Sequence, residues 1–207
     1  MLSTAEGYSP DANSFAAQRS ARPGKEFDLV APPVRRRVEA SHARSEDISV
    51  LLENAKVAMG VALAREDVVA RIACDNPDSV WVFRRRGRIV GGFAMLMLNR
   101  VGLSALLANK CDFAEPPASL LAPYGTRPSA IYVWAVLGAS VASEGIAQVI
   151  ARVQQCPYEL SDVFATPATE DGLRFMQGLC FRPVPGHPRS LHRYVRLVKR
   201  APPSGHG

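Results

Sequence analysis

At 207 residues with 47% hydrophobic content, the chain suits one domain plus tails and has enough apolar material for a sizeable core, which excludes full disorder. The net charge is +6 and 21 of the 25 basic residues are arginine, but the positives gather in two short clusters, residues 35–37 and 84–88, with no interleaved aromatics, so nucleic acid is not the favoured partner. The start of the chain lacks the segments of a secretory signal and no apolar run nears the roughly 20 residues of a membrane span, so a soluble, cytoplasmic protein with no membrane contact is expected.

Residues 1–33 are rich in Ser, Ala, Pro, Gly and charge without a sustained period, and are expected to form a flexible tail; residues 199–207 form a second, shorter one. The segment between them, 34–198, reads as one domain. Residues 34–40 (VRRRVEA) predict a short edge strand behind Pro32 and Pro33. A helix follows, with Ser45 as N-cap, Glu46 and Asp47 in its first turn, Ile48, Leu51, Leu52, Ala55 and Met59 on one face, and Gly60 as its stop. A second helix is predicted over 65–73, ahead of the turn Asp75-Asn76-Pro77-Asp78.

The clearest β signal comes next: a strand from Val80, a turn at 85–88 and a strand over 89–98, in which Gly91 and Gly92 predict a bulge or a close backbone approach. Residues 99–128 carry Pro116, Pro117, Pro123 and Pro128 and read as an insertion with one short helix near 103–109. Its Leu and Ala content fits either an apolar lid or a satellite of the core. Residues 130–137 (AIYVWAVL) predict a central strand buried on both faces. A small-residue turn leads into a helix with Ile146, Val149, Ile150 and Val153 at i, i+3, i+4 and i+7. Residues 162–166 (DVFAT) predict a short strand, Thr169 caps a helix ending near Gly178, and 181–184 with 191–197 close the sheet as a hairpin.

The four cysteines lie far apart and the four histidines lack metal-ligand spacing, so reduced thiols and no metal are expected. The element order is β-α-α-β-β-β-α-β-α-β-β. It resembles that of the GNAT (N-acetyltransferase) superfamily, whose fold is a single α/β domain with a mixed central sheet flanked by helices.

Two local segments carry the resemblance further. The superfamily's acyl-CoA signature, Q/R-x-x-G-x-G/A, falls on residues 142–147, where Gly145 and Ala147 agree with the pattern and Ala142 departs from it. Backbone N–H groups at a helix start, unobstructed by side chains, can bond the oxygens of a diphosphate. The resemblance therefore implies that Ala142, Ser143, Gly145, Ile146 and Ala147 hold the diphosphate of acetyl-CoA or another acyl-CoA, with Glu144 turned away. It further implies that the backbone of Ala135, Val136 and Leu137 bonds the pantetheine arm, joined by Thr166. A capped, alanine-rich core helix explains the same glycine equally well.

The second segment, residues 172–181, is similar to the superfamily's A-x-x-L-Y-x-x-x-G-F ending. Phe181 agrees, Cys180 stands in place of the glycine, and Met176 stands where many members carry the tyrosine that protonates the departing thiolate. Tyr132 is the nearest ionisable alternative, although a packed strand tyrosine is the commoner role. No histidine or aspartate near Cys180 suggests a nucleophile.

The resemblance implies an acyl-CoA-dependent N-acyltransferase, moving an acetyl group by direct attack of an amine carried by a small molecule or a protein. The alternative is a catalytically inactive domain of the same fold, kept for binding a ligand or partner. An acyl-homoserine-lactone synthase shares the architecture, but its distinctive charge pattern is absent. A homodimer suits such folds, and nothing in the sequence requires it.

Overall fold

The computed structural model describes residues 38–59, 64–138 and 142–195. Both expected tails, residues 34–37 of the predicted first strand, Gly60, and residues 196–197 of the predicted last strand lie outside the described residues. What is described is a seven-stranded mixed sheet with five α-helices.

In chain order the elements are β1 (Glu39–His42), α1 (Ser45–Met59), α2 (Glu66–Asp75), β2 (Val80–Arg85), β3 (Arg88–Leu98), α3 (Arg100–Leu107), β4 (Ala130–Leu137), α4 (Ser143–Val153), β5 (Asp162–Ala165), α5 (Glu170–Gly178), β6 (Phe181–Pro183) and β7 (His192–Tyr194). The sheet order is β1-β2-β3-β4-β5-β7-β6, so the apolar run of β4 is central and the first strand is an edge, as their compositions predict. Only the β4–β5 pair is parallel, with α4 as its crossover.

Local chemistry accounts for most boundaries. The β2–β3 hairpin turns on Arg86 and Gly87, both at positive φ, the requirement of a tight two-residue turn. The β2–β3 register then slips between Phe83 and Arg84, leaving Val90 as an extra residue beside Gly91. The close approach expected of the two glycines is also present. A Cβ on Gly91 would strike the Leu137 carbonyl oxygen, and one on Gly92 would stand 2.7 Å from Leu51 Cδ2.

At the start of α1 the expectation needs correction. Ser45 is already helical, and the cap is made from behind by Asp47, whose Oδ2 accepts from Arg44 N at 2.9 Å. Asp47 is also ion-paired to Arg84 of β2, which ties the helix start to the sheet. The cap expected of Thr169 is observed, its Oγ1 accepting from Gly172 N at 3.0 Å.

Two layers of helices cover the sheet. One face packs Trp81, Phe83, Phe93, Met95, Met97 and Ile131 against Ile146 and Val149 of α4. The other packs Val80 and Val82 against Ile48 and Leu51 of α1 and Val69 of α2, and Leu96 and Leu98 against α2 and α3. Residues 99–128 belong to this second layer: Leu106 and Phe113 are buried beside Leu96, Leu98 and Leu191. The insertion is therefore part of the core, which is the satellite reading and not the lid.

One buried charge joins three elements. Asp78, just ahead of β2, is 1% exposed and receives bonds from Arg152 of α4 (Nη2, 2.9 Å), the Tyr158 hydroxyl (2.8 Å) and His42 of β1 (Nε2, 3.0 Å). Burial alone would raise its pKa, but the donors from Arg152 and Tyr158, the Arg152 charge and the His42 contact hold it below the ordinary carboxylate value. Burial and the Asp78 carboxylate push the Tyr158 hydroxyl upward, so it stays protonated as a donor.

Candidate functional site

β4 is where the sheet departs from regularity. Its pairing with β5 runs from Ala130↔Asp162 to Val133↔Ala165 and stops there, while its pairing with β3 continues to Leu137. The β3–β4 register slips at the same level: Ala94 faces Ala135 and Met95 faces Val133, which leaves Trp134 as an extra, bulged residue. A bulge bends its strand. From Trp134 onward β4 parts from β5, and its β5-facing edge over residues 134–137 has no strand partner among the described residues.

The expectation that AIYVWAVL is buried on both faces holds only for its start. Ala130 and Ile131 are buried, residues 132–135 are half-buried and Val136 is 39% exposed. Past Ala165 no strand among the described residues covers the β5 side of β4, and only β3 flanks its second half. Ala135, Val136 and Leu137, assigned from the resemblance to the pantetheine arm, are the residues of this open edge. Thr166 follows directly on the last paired residue of β5 and is half-buried at the fork.

Past β4 the chain reaches Gly138 at φ +130, and residues 139–141, including Ser140, lie outside the described residues. Ala142 is buried and occupies the N-cap of α4, where its methyl side chain supplies no cap. Ser143 is exposed in the first turn, while Ile146 faces the core and Ala147 faces outward.

Glu144 points away from this turn: its Oε2 accepts from Val38 N at 2.9 Å. One helical turn on, Gln148 accepts from Ala40 N and donates to Val38 O. The two side chains thus satisfy the backbone of the edge strand, and Glu144 is committed to that task.

Gly145 has a packing role that the signature pattern does not disclose. Its Cα faces Phe83, and a Cβ there would lie 2.5 Å from the ring. Glycine is required for α4 to settle on the sheet, whatever is bound at the helix start.

Tyr132 packs against Phe113 with the rings tilted by 42° and their centroids 5.3 Å apart, within the apolar cluster of Leu96, Leu98 and Phe164. Its surroundings are those of a packed strand residue. Met176 is 8% exposed and packs with Ala165 and Phe181, so the usual acid position is filled by core. The sheet register brings one unforeseen imidazole level with the fork: His192, paired across from Ala165, buried, with Nδ1 2.7 Å from Ser190 O. The alternation of LHRYVRL signals a strand, but its strand neighbour is a tertiary fact.

On the α1 side of the sheet, an open cleft runs beside the free part of β4. It is lined by Leu51, Leu52 and Ala55 of α1, Val69 of α2, Ala94 of β3, and Trp134, Ala135 and Leu137 of β4, and encloses about 70 Å³ behind an open mouth. No ionisable side chain is among its described lining residues. No cluster of His, Cys, Asp and Glu suited to a metal occurs among the described residues, and no helix there is long and apolar enough to cross a membrane.

No protein-family model matches the chain, and no curated protein matches it in sequence. Solved structures do match in shape. The loading GNATL domain of CurA from Lyngbya majuscula superposes with a TM-score of 0.57 at 15% identity, over 76% of this chain and 96% of that one. An acetyltransferase of the GNAT family from Staphylococcus aureus Mu50 does so with a TM-score of 0.50 at 10% identity, over 76% of this chain and 98% of that one. The chain therefore has the GNAT fold.

Proposed function

We propose that the chain binds an acyl-CoA thioester along the free edge of β4 and transfers its acyl group, acetyl in the simplest case, to an amine of a small molecule or protein. The observation that carries this reading is the fork itself. β4 ends its pairing with β5 at Val133, bulges at Trp134 and offers an edge without a strand partner among the described residues, shortly before the N-terminus of α4.

An extended pantetheine arm, with two amides, can pair with such an edge as an added strand does. The N-terminus of α4, with its backbone N–H groups and dipole, then suits the diphosphate. Backbone N–H groups of β4 near the fork would polarise the thioester carbonyl, and the transfer asks mainly for positioning and a deprotonated amine.

A specific observation favours a second reading, a domain that binds such a ligand or a partner without turnover. Met176 has no proton to donate and is packed in the core.

Calorimetry with acetyl-CoA tests the first step, and Ser143→Glu is the informative variant because Ser143 is exposed at the helix start. The new carboxylate favours the helix dipole, so folding is preserved, while it repels a diphosphate. Loss of affinity of about tenfold or more is expected, equivalent to roughly 1.4 kcal/mol; undiminished binding would place the diphosphate elsewhere. If acetyl-CoA binds, thiol release with an amine panel separates the transferase from the non-catalytic domain.

A further inference from the structure

The cleft beside β4 contains information about what the thioester carries. Trp134, Ala135 and Leu137 line it and also form the free edge on which the pantetheine arm is placed, so the cleft adjoins that edge. Every described lining position is apolar, and the only side-chain polar atoms are indole nitrogens. Of these, the Trp81 indole packs on the α4 face with its Nε1 donating to the Asp78 carbonyl at 2.8 Å, so only Trp134 carries one on the cleft side.

Such a lining discriminates between the two groups that meet at a thioester. An amine reaches the protein as an ammonium ion at neutral pH, and burying it here would cost its hydration with no carboxylate, hydroxyl or carbonyl side chain among the described lining residues in compensation. A hydrocarbon chain loses nothing by leaving water and gains with every methylene buried. An acetyl group offers this lining a single methyl, whereas each further methylene of a longer chain buried there adds its own transfer free energy.

We infer that the cleft is an acyl-chain pocket, and that the preferred co-substrate is the CoA thioester of an aliphatic acid longer than acetic acid. The inference rests on the acyl-CoA reading of the free β4 edge. It adds that Leu51, Leu52, Val69, Ala94 and Trp134 select the chain, and that the amine approaches from outside this cleft.

The test is a calorimetric ladder of CoA, acetyl-CoA, butyryl-CoA, hexanoyl-CoA and octanoyl-CoA on the full chain. Affinity should rise by up to about fourfold per methylene until the cleft is full. In Ala94→Leu, where the added side chain occupies the cleft, the rise should end at a shorter chain while the protein's melting temperature shows that it is folded. If CoA and acetyl-CoA bind as tightly as the longer thioesters, the acyl-pocket inference is overturned and the acyl-CoA reading stands. If no CoA species binds, the reading of the β4 edge falls, and the inference with it. A ladder that rises equally far in Ala94→Leu would place the chain in another part of the molecule and likewise overturn it.

Discussion

At the scale of single residues, the departures from the superfamily's late motif have different physical consequences. Cys180 ends α5 at φ +66, a left-handed conformation that a side chain disfavours and glycine does not. Its N–H bonds Gln177 O at 3.1 Å, so the conformation closes the helix despite its cost. Cys180→Gly is expected to stabilise the chain by about 1 kcal/mol, read as a higher urea midpoint with an unchanged slope. Met176 differs in that no side-chain conformation is at issue. Its thioether fills space against Ala165 and Phe181, and it removes a proton donor from the position without disturbing the fold. The substitution was plain in the sequence, whereas its burial was not, because which face of α5 meets the sheet depends on where β5 and β6 lie.

At the scale of elements, α4 illustrates how one helix serves two faces. Its apolar positions were legible from their spacing, and Ile146 and Val149 are buried as that spacing demands. Its polar positions were not, since Glu144 and Gln148 act on the backbone of β1, more than a hundred residues away in the chain. Gly145 lies between these roles with Phe83 against it. Gly145→Ala is expected to destabilise the chain by about 1–3 kcal/mol, through overpacking against a ring that is wholly buried, with the loss visible in urea unfolding without any ligand present. A glycine kept only for ligand access would tolerate that substitution.

At the scale of the whole molecule, the Asp78 cluster determines how the fold responds to acid. The folded-state pKa of Asp78 is depressed relative to the unfolded value near 3.8, so the stability it contributes is present above that value and is lost as pH falls through the folded value. Asp47, also depressed, adds to the loss in the same direction and the same window: burial would raise its pKa, but the Arg44 N–H and the Arg84 guanidinium outweigh it. Asp78→Asn should cost about 3–5 kcal/mol near neutral pH, because it leaves Arg152 as a partly buried charge without its carboxylate. It should also flatten the acid limb of stability below about pH 4, measured by urea midpoints across pH.

Residue spacing and turn chemistry, read without coordinates, determined the succession of strands and helices, the edge position of the first strand, the central position of AIYVWAVL and the likeness to the GNAT order, because these depend on periods and turn residues within a few positions of one another. Only the tertiary structure decided where β5 stops beside β4, that Trp134 is the bulge, that Glu144 faces β1 and that α1 and α2 enclose an apolar cleft. The free edge that the proposed function requires is a mismatch in length between two strands joined through a helix. Neither strand contains that mismatch by itself, and it exists only once the two are laid side by side.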